Sequence, residues 1–109
     1  MDEHPAALLR IFLGEDDKAD GRPLYEVLVM EARAKGLAGA TVLRGPMGFG
    51  HASRLHTAKI LHLSQDLPMV VEIVDGEVKL RAFLDQVAPM LTSSLVTIEK
   101  VSVLRWGAT

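Results

Sequence analysis

Between Arg44 and Pro68 the chain reads RGPMGFGHASRLHTAKILHLSQDLP, a stretch that gathers cations, imidazoles and glycines. Arg44, Arg54 and Lys59 lie in it, and Arg105 ends the last apolar run beside Trp106. Arginine offers a planar, bidentate match to phosphate and lysine a point charge, so these four side chains suit an anionic ligand, although the commoner reading of any one of them is an ordinary solvated charge. Gly48 and Gly50, with Phe49 between them and Gly45 just before, would let a ligand approach bare backbone. The same glycines also serve a bulge and a hairpin exit. No G-x-x-x-x-G-K-[ST] pattern is present, so a P-loop hydrolase is not supported.

His51, His56 and His62 share this stretch, but their spacing puts no two of them on one helical turn, and the chain has no cysteine. Three copies of one histidine could meet on a symmetry axis. The simpler reading makes His51 and His56 hydrogen-bonding or pH-sensitive loop residues, with no metal bound. Glu15, Asp16, Asp17 and Asp20 form an acidic turn that lacks the length of a calcium loop. Neither a Ser-His-Asp arrangement nor a poised pair of carboxylates can be assigned, and no catalytic residue is expected.

The elements around this stretch follow from hydrophobic period. Leu9, Ile11 and Leu13 alternate with Leu8, Arg10 and Phe12, as in a strand with one well-buried face. Pro23 suits the first turn of a helix reaching Lys35, with an apolar side of Leu24, Val27 and Leu28 and a stop at Gly36. Ala40–Leu43 leans to strand, and Met69–Val74 is a nearly continuous β-rich run. Asp75 is expected to cap a second helix carrying Leu80, Phe83, Leu84, Val87, Ala88 and Leu91, bent or ended at Pro89. Leu95–Trp106 forms a final strand whose parity change near Glu99 and Lys100 suggests a bulge or a bend.

The resulting order, β-α-β-β-α-β, predicts an α+β ferredoxin-like domain over residues 1–109, with a four-stranded antiparallel sheet and both helices on one face. Apolar residues fall on both parities of three strands, so the second face calls for cover, and a homotrimer is the economical way to supply it. The insertion covers about 47–67, far longer than a plain hairpin loop, and such connections are usually functional. Its His51–Thr57 part is expected to be more mobile than the sheet. A net charge of −2 gives no global field for nucleic acid. The first apolar run stops at Gly14, too short to span or insert into a membrane, and has no basic lead. A cytoplasmic protein is expected.

The run GRPLYEVLVMEARAKGLAGATVLRGPMGFG, followed by SRLHTAKILHLSQDLPMVVEIVD, resembles the PII-like proteins of the domain of unknown function 190 family, relatives of the PII nitrogen-regulatory proteins. The resemblance covers Leu8 to Trp106. It implies a trimeric signalling protein with a ligand site in subunit clefts and a long loop, equivalent to the PII T-loop, that contacts a partner protein. An adenine nucleotide (AMP, ADP or ATP) is then the expected effector, with Arg44, Gly48, Phe49, Gly50, His51, Arg54, His56, Lys59 and Arg105 as candidate binding residues; no cofactor is required. The chain departs from PII where LTSSLVTIEKV replaces a glycine-rich phosphate turn, where the loop has no tyrosine to uridylylate, and where His51, Ala52 and Ser53 replace a glutamine that supports 2-oxoglutarate binding. Two other readings remain open: a small enzyme acting on a phosphorylated metabolite through His51 or His56, and a purely structural trimeric adaptor.

Overall fold

A computed structural model describes residues 1–49, the backbone of Leu55–Thr57, and residues 66–107. Its strands are β1 (His4–Gly14), β2 (Lys18–Ala19), β3 (Arg22–Pro23), β4 (Thr41–Arg44), β5 (Met47–Phe49), β6 (Leu55–Thr57), β7 (Pro68–Asp75) and β8 (Leu95–Val103). The helices are α1 (Leu24–Ala34) and α2 (Glu77–Val87), the latter followed by a 3₁₀ turn at Ala88–Met90. Four strands form an antiparallel sheet in the order β4-β7-β1-β8, which is the ferredoxin-like arrangement expected from the sequence.

Strand alternation decides which residues meet the helices. Ala7, Leu9 and Ile11 of β1 and Val71 and Ile73 of β7 are almost wholly buried against Leu24, Leu28 and Ala32 of α1 and Leu80, Phe83 and Val87 of α2. Both helices therefore cover one face. α1 begins after Pro23, which stands one position earlier than expected, outside the first helical turn. It ends in a Schellman motif. Gly36 takes a φ of 74° and donates to Arg33 O at 3.1 Å, while Leu37 N donates to Ala32 O at 3.1 Å.

Two local expectations are corrected. Asp75 does not cap α2, whose N-cap is Gly76 without a side-chain bond. Instead the buried Asp75 carboxylate accepts from Ala38 N at 2.9 Å and Gly76 N at 2.7 Å, tying the loop after α1 to the end of β7. Nor is there a bulge in β8. Its register with β1 runs unbroken from Phe12↔Leu95 to His4↔Val103. The parity change is a change of face, since Val96 and Ile98 pack on the helix-side core whereas Val101 and Val103 look to the other side.

That other side is mixed. Leu8, Phe12, Val70 and Val74 are partly buried there, and Leu43 and Leu95 are exposed. Arg10 lies at its centre, donating through Nε to Glu72 Oε2 at 2.9 Å and through a terminal nitrogen to Glu99 Oε1 at 2.6 Å. The Glu72 bond, then the Glu99 bond, hold the guanidinium above its usual range. One arginine thus links three strands.

Val71 belongs to the helix-covered core, and Val70 to the open face. Val71→Asp leaves an unpaired charge among apolar side chains and is expected to lower stability by about 3–5 kcal/mol. Val70→Asp leaves the folding of the single chain far less affected. Urea titrations followed by circular dichroism check this; equal losses at the two positions would contradict the assigned faces.

Candidate functional site

The insertion leaves and rejoins the sheet at one place. Gly45 N donates to Pro68 O at 2.8 Å, extending the pairing of β4 with β7. The chain then enters β5, which pairs with β6 as Met47↔Thr57, Gly48↔His56 and Phe49↔Leu55. Part of the segment expected to be mobile, Leu55–Thr57, is therefore a paired strand, and residues 51–54 lie outside the described residues. A Cβ on Gly45 would stand 2.9 Å from Pro68 Cγ, and one on Gly48 would stand 3.0 Å from the same atom. Both glycines are thus explained by close packing on Pro68, and Gly48 also borders a cavity.

That cavity, of about 540 Å³, opens where the C-terminal end of β1 meets the start of β7 and of β8. Phe12, Leu13, Pro68, Met69 and Leu95 give it an apolar floor. Gly48 and Phe49 of β5 form one wall, and the turn Thr92–Ser94 another. Its size and its mainly apolar lining with a few polar groups are those of small-molecule sites. Phe49 is 75% exposed although it borders the cavity, so an aromatic ring is left available at the mouth.

The acidic turn closes the remaining side. Gly14 N donates to Asp17 Oδ2 at 3.0 Å, Asp16 N to Asp66 Oδ1 at 2.7 Å, and Glu15 N to Leu67 O at 2.8 Å. The returning end of the insertion is thereby fastened to the end of β1. Glu15 also accepts from Arg44 at 2.5 Å, which places this predicted arginine beside the cavity although not in its lining.

Of the other predicted residues, Gly48 and Phe49 line the cavity, while Gly50, His51, Arg54 and Lys59 lie outside the described residues. His56 is placed by its backbone in β6, opposite Gly48. Arg105 borders a second, more open groove of about 860 Å³ with Trp106, Ala38–Thr41, Val101 and Val103. On β8 six residue steps separate Leu95 of the cavity from Val101 of the groove, roughly 20 Å, and Arg44 ends β4 while Arg105 follows β8, at opposite edges of the sheet. A single chain does not bring Arg44 and Arg105 together.

Residues 6–103 match the family model described as an uncharacterized ACR, DUF190. The chain belongs to the DUF190 family. A UPF0166 protein of Aquifex aeolicus is 40% identical over 97 residues, covering 89% of this chain and 91% of that one. Another, from Methanocaldococcus jannaschii, is 36% identical over 72 residues, covering 66% of each. Among solved structures, CPII of Thiomonas intermedia, a nitrogen regulatory PII-like protein bound to ADP, AMP and bicarbonate, superposes with a TM-score of 0.73 at 18% identity, covering 95% of this chain and 92% of that one. A Thermus thermophilus protein classed with PII-like signalling proteins gives 0.68 at 21% identity, covering 94% and 93%. The DUF190 chain therefore has the PII-like fold. No described helix is long and apolar enough to cross a membrane.

Sequence reading missed Gly14, Asp66 and Thr92–Ser94 and took Asp17 as part of a solvated acidic turn; these residues come from separate parts of the chain. Gly14 carried a usable signal, since it ends a strand that otherwise has a side chain at every step. A Cβ at Gly14 would fall 2.6 Å from Asp66 Oδ1. Gly14→Ala is accordingly expected to destabilise the parent more than it destabilises an Asp66→Ala background. The double-mutant cycle should give a coupling of roughly 0.5–3 kcal/mol; additive losses would show that this contact does not constrain the turn.

Proposed function

We propose that this DUF190 protein is a homotrimeric, PII-like regulator that binds an adenine nucleotide at its subunit clefts and contacts a partner protein through the 47–67 insertion. The observation that carries this reading is the cavity at the sheet end, formed jointly by the base of the insertion and the Thr92–Ser94 turn. A ligand there touches both the sheet and the segment that would report its presence. The fold is shared with a protein solved with ADP and AMP, which supports an adenine nucleotide as the ligand class.

The trimer is supported by the open sheet face. Leu8, Phe12, Val70, Val74, Leu43 and Leu95 surround an ion-pair network that is already satisfied within the chain. Burying such a face removes apolar surface from water and leaves no unpaired charge, which is the costly case. Assembly also answers the separation of the cations: if Arg44 and Arg105 serve one ligand, they come from different subunits. Arg54, Lys59 and His51 belong to the same reading as contacts from the insertion. In this role the protein works in the cytoplasm, without a required cofactor and without a catalytic residue.

Two measurements test the proposal. Light scattering is expected to give a trimer at micromolar concentration, shifted to smaller species by Val70→Glu; a monomeric parent would refute the assembly. Calorimetry is expected to show stoichiometric binding of ADP or AMP without turnover. Arg44→Gln should weaken it about 10–150-fold through loss of one charge-assisted phosphate contact. Turnover of the nucleotide that disappears on substitution of His51 or His56 would instead favour the enzyme.

A further inference from the structure

The lining of the 540 Å³ cavity is unusual for a phosphate pocket. Asp17 and Asp66 are its charged side chains among the described residues, and the Gly14 and Asp16 amides hold one oxygen of each carboxylate in place. The Asp17 carboxylate, fixed in this way, opposes a phosphate beside it and favours a donor such as a ribose hydroxyl or an exocyclic amine. The facing wall is the hydroxyl-bearing turn Thr92, Ser93 and Ser94, and the ring of Phe49 at the mouth offers a stacking surface for a planar base.

Ser94 adds a second, independent observation. Its residue borders the cavity, yet its Oγ is buried and has no hydrogen-bond partner among the described residues. Sequestering a hydroxyl in that way is unfavourable in the empty chain, and serine has other staggered rotamers to which it can turn.

We infer that the cavity seats the uncharged nucleoside part of the ligand, with the phosphates directed outward past Arg44, and that Ser94 is a specificity-determining residue whose hydroxyl rotates onto the nucleoside when it binds. This rests on the adenine-nucleotide reading above and assigns the Thr92–Ser94 turn to base and ribose, not to phosphate.

Calorimetry with adenosine and AMP, on the parent and on Ser94→Ala and Ser94→Thr, tests it together with melting curves of the ligand-free proteins. Adenosine is expected to bind the parent measurably, weaker than AMP by about the 10–150-fold that the loss of the Arg44 phosphate contact costs. Ser94→Ala should weaken both ligands by the same factor, roughly 5- to 30-fold, while the ligand-free melting temperature holds or rises because an unpaired buried hydroxyl has been removed. Ser94→Thr, which keeps the hydroxyl, should restore part of the affinity. The inference is overturned if AMP binds and adenosine does not, if Ser94→Ala leaves AMP affinity at the parent value, or if that variant melts lower without ligand. Those outcomes leave the nucleotide reading standing. A parent that binds neither AMP nor ADP overturns both.

Discussion

Everything else in the molecule depends on the double pairing of β1. It lies between β7 and β8, antiparallel to both, and contributes to each side of the sheet at every second residue. Its odd-numbered residues from Ala7 to Leu13 enter the core beneath the helices, so a register slip of one residue would exchange them for Leu8, Arg10 and Phe12. The exchange would bury a guanidinium. Arg10 therefore fixes the register as firmly as the leucines do, because its two glutamate partners stand on the neighbouring strands only in the observed alignment.

The same strand sets up the candidate site. Where β1 ends, Gly14 has no side chain, and the space a Cβ would take belongs to the Asp66 carboxylate. The acidic turn can then hold Asp66 and Leu67 against the sheet end, and Pro68 begins β7 while packing on Gly45 and Gly48. Two close approaches thus bring both ends of the insertion to a single corner. The cavity lies in the angle between them.

How much of this is legible in the chain differs by element, for physical reasons. The alternation of β1, the stop of α1 at Gly36 and the Leu80, Phe83 and Val87 stripe of α2 are local patterns, and the fold follows from their order. Asp20-Gly21 is a local signal of the same kind, easily lost among the acids around it. Positive φ values of 51° and 77° make it the two-residue turn of the β2–β3 hairpin, a standard use of Asp-Gly. Asp75 misleads because an Asp before a helix usually caps it, whereas here a more distant backbone amide, Ala38 N, takes one of its oxygens. Thr92–Ser94 cannot be singled out from spacing. Nothing in three consecutive hydroxyl residues announces that the fold will set them opposite Phe49.

A regulator needs its ligand to prefer one arrangement of the chain, since a molecule that binds two arrangements equally shifts neither. The geometry at this corner supplies a route for such a preference. Asp66 belongs at once to the cavity wall and to the returning end of the insertion, and Pro68, where that end enters β7, lines the cavity too. A ligand that draws on the acidic wall competes with, or reinforces, the amide contacts by which Asp16 and Gly14 hold that wall in place. Gly48 and Phe49 repeat the arrangement on the outgoing side, where a base stacked on Phe49 would bear directly on β5 and through its pairing on β6. Both ends of the insertion therefore share atoms with the cavity, and a change in occupancy need not cross the sheet to reach the segment proposed to meet a partner.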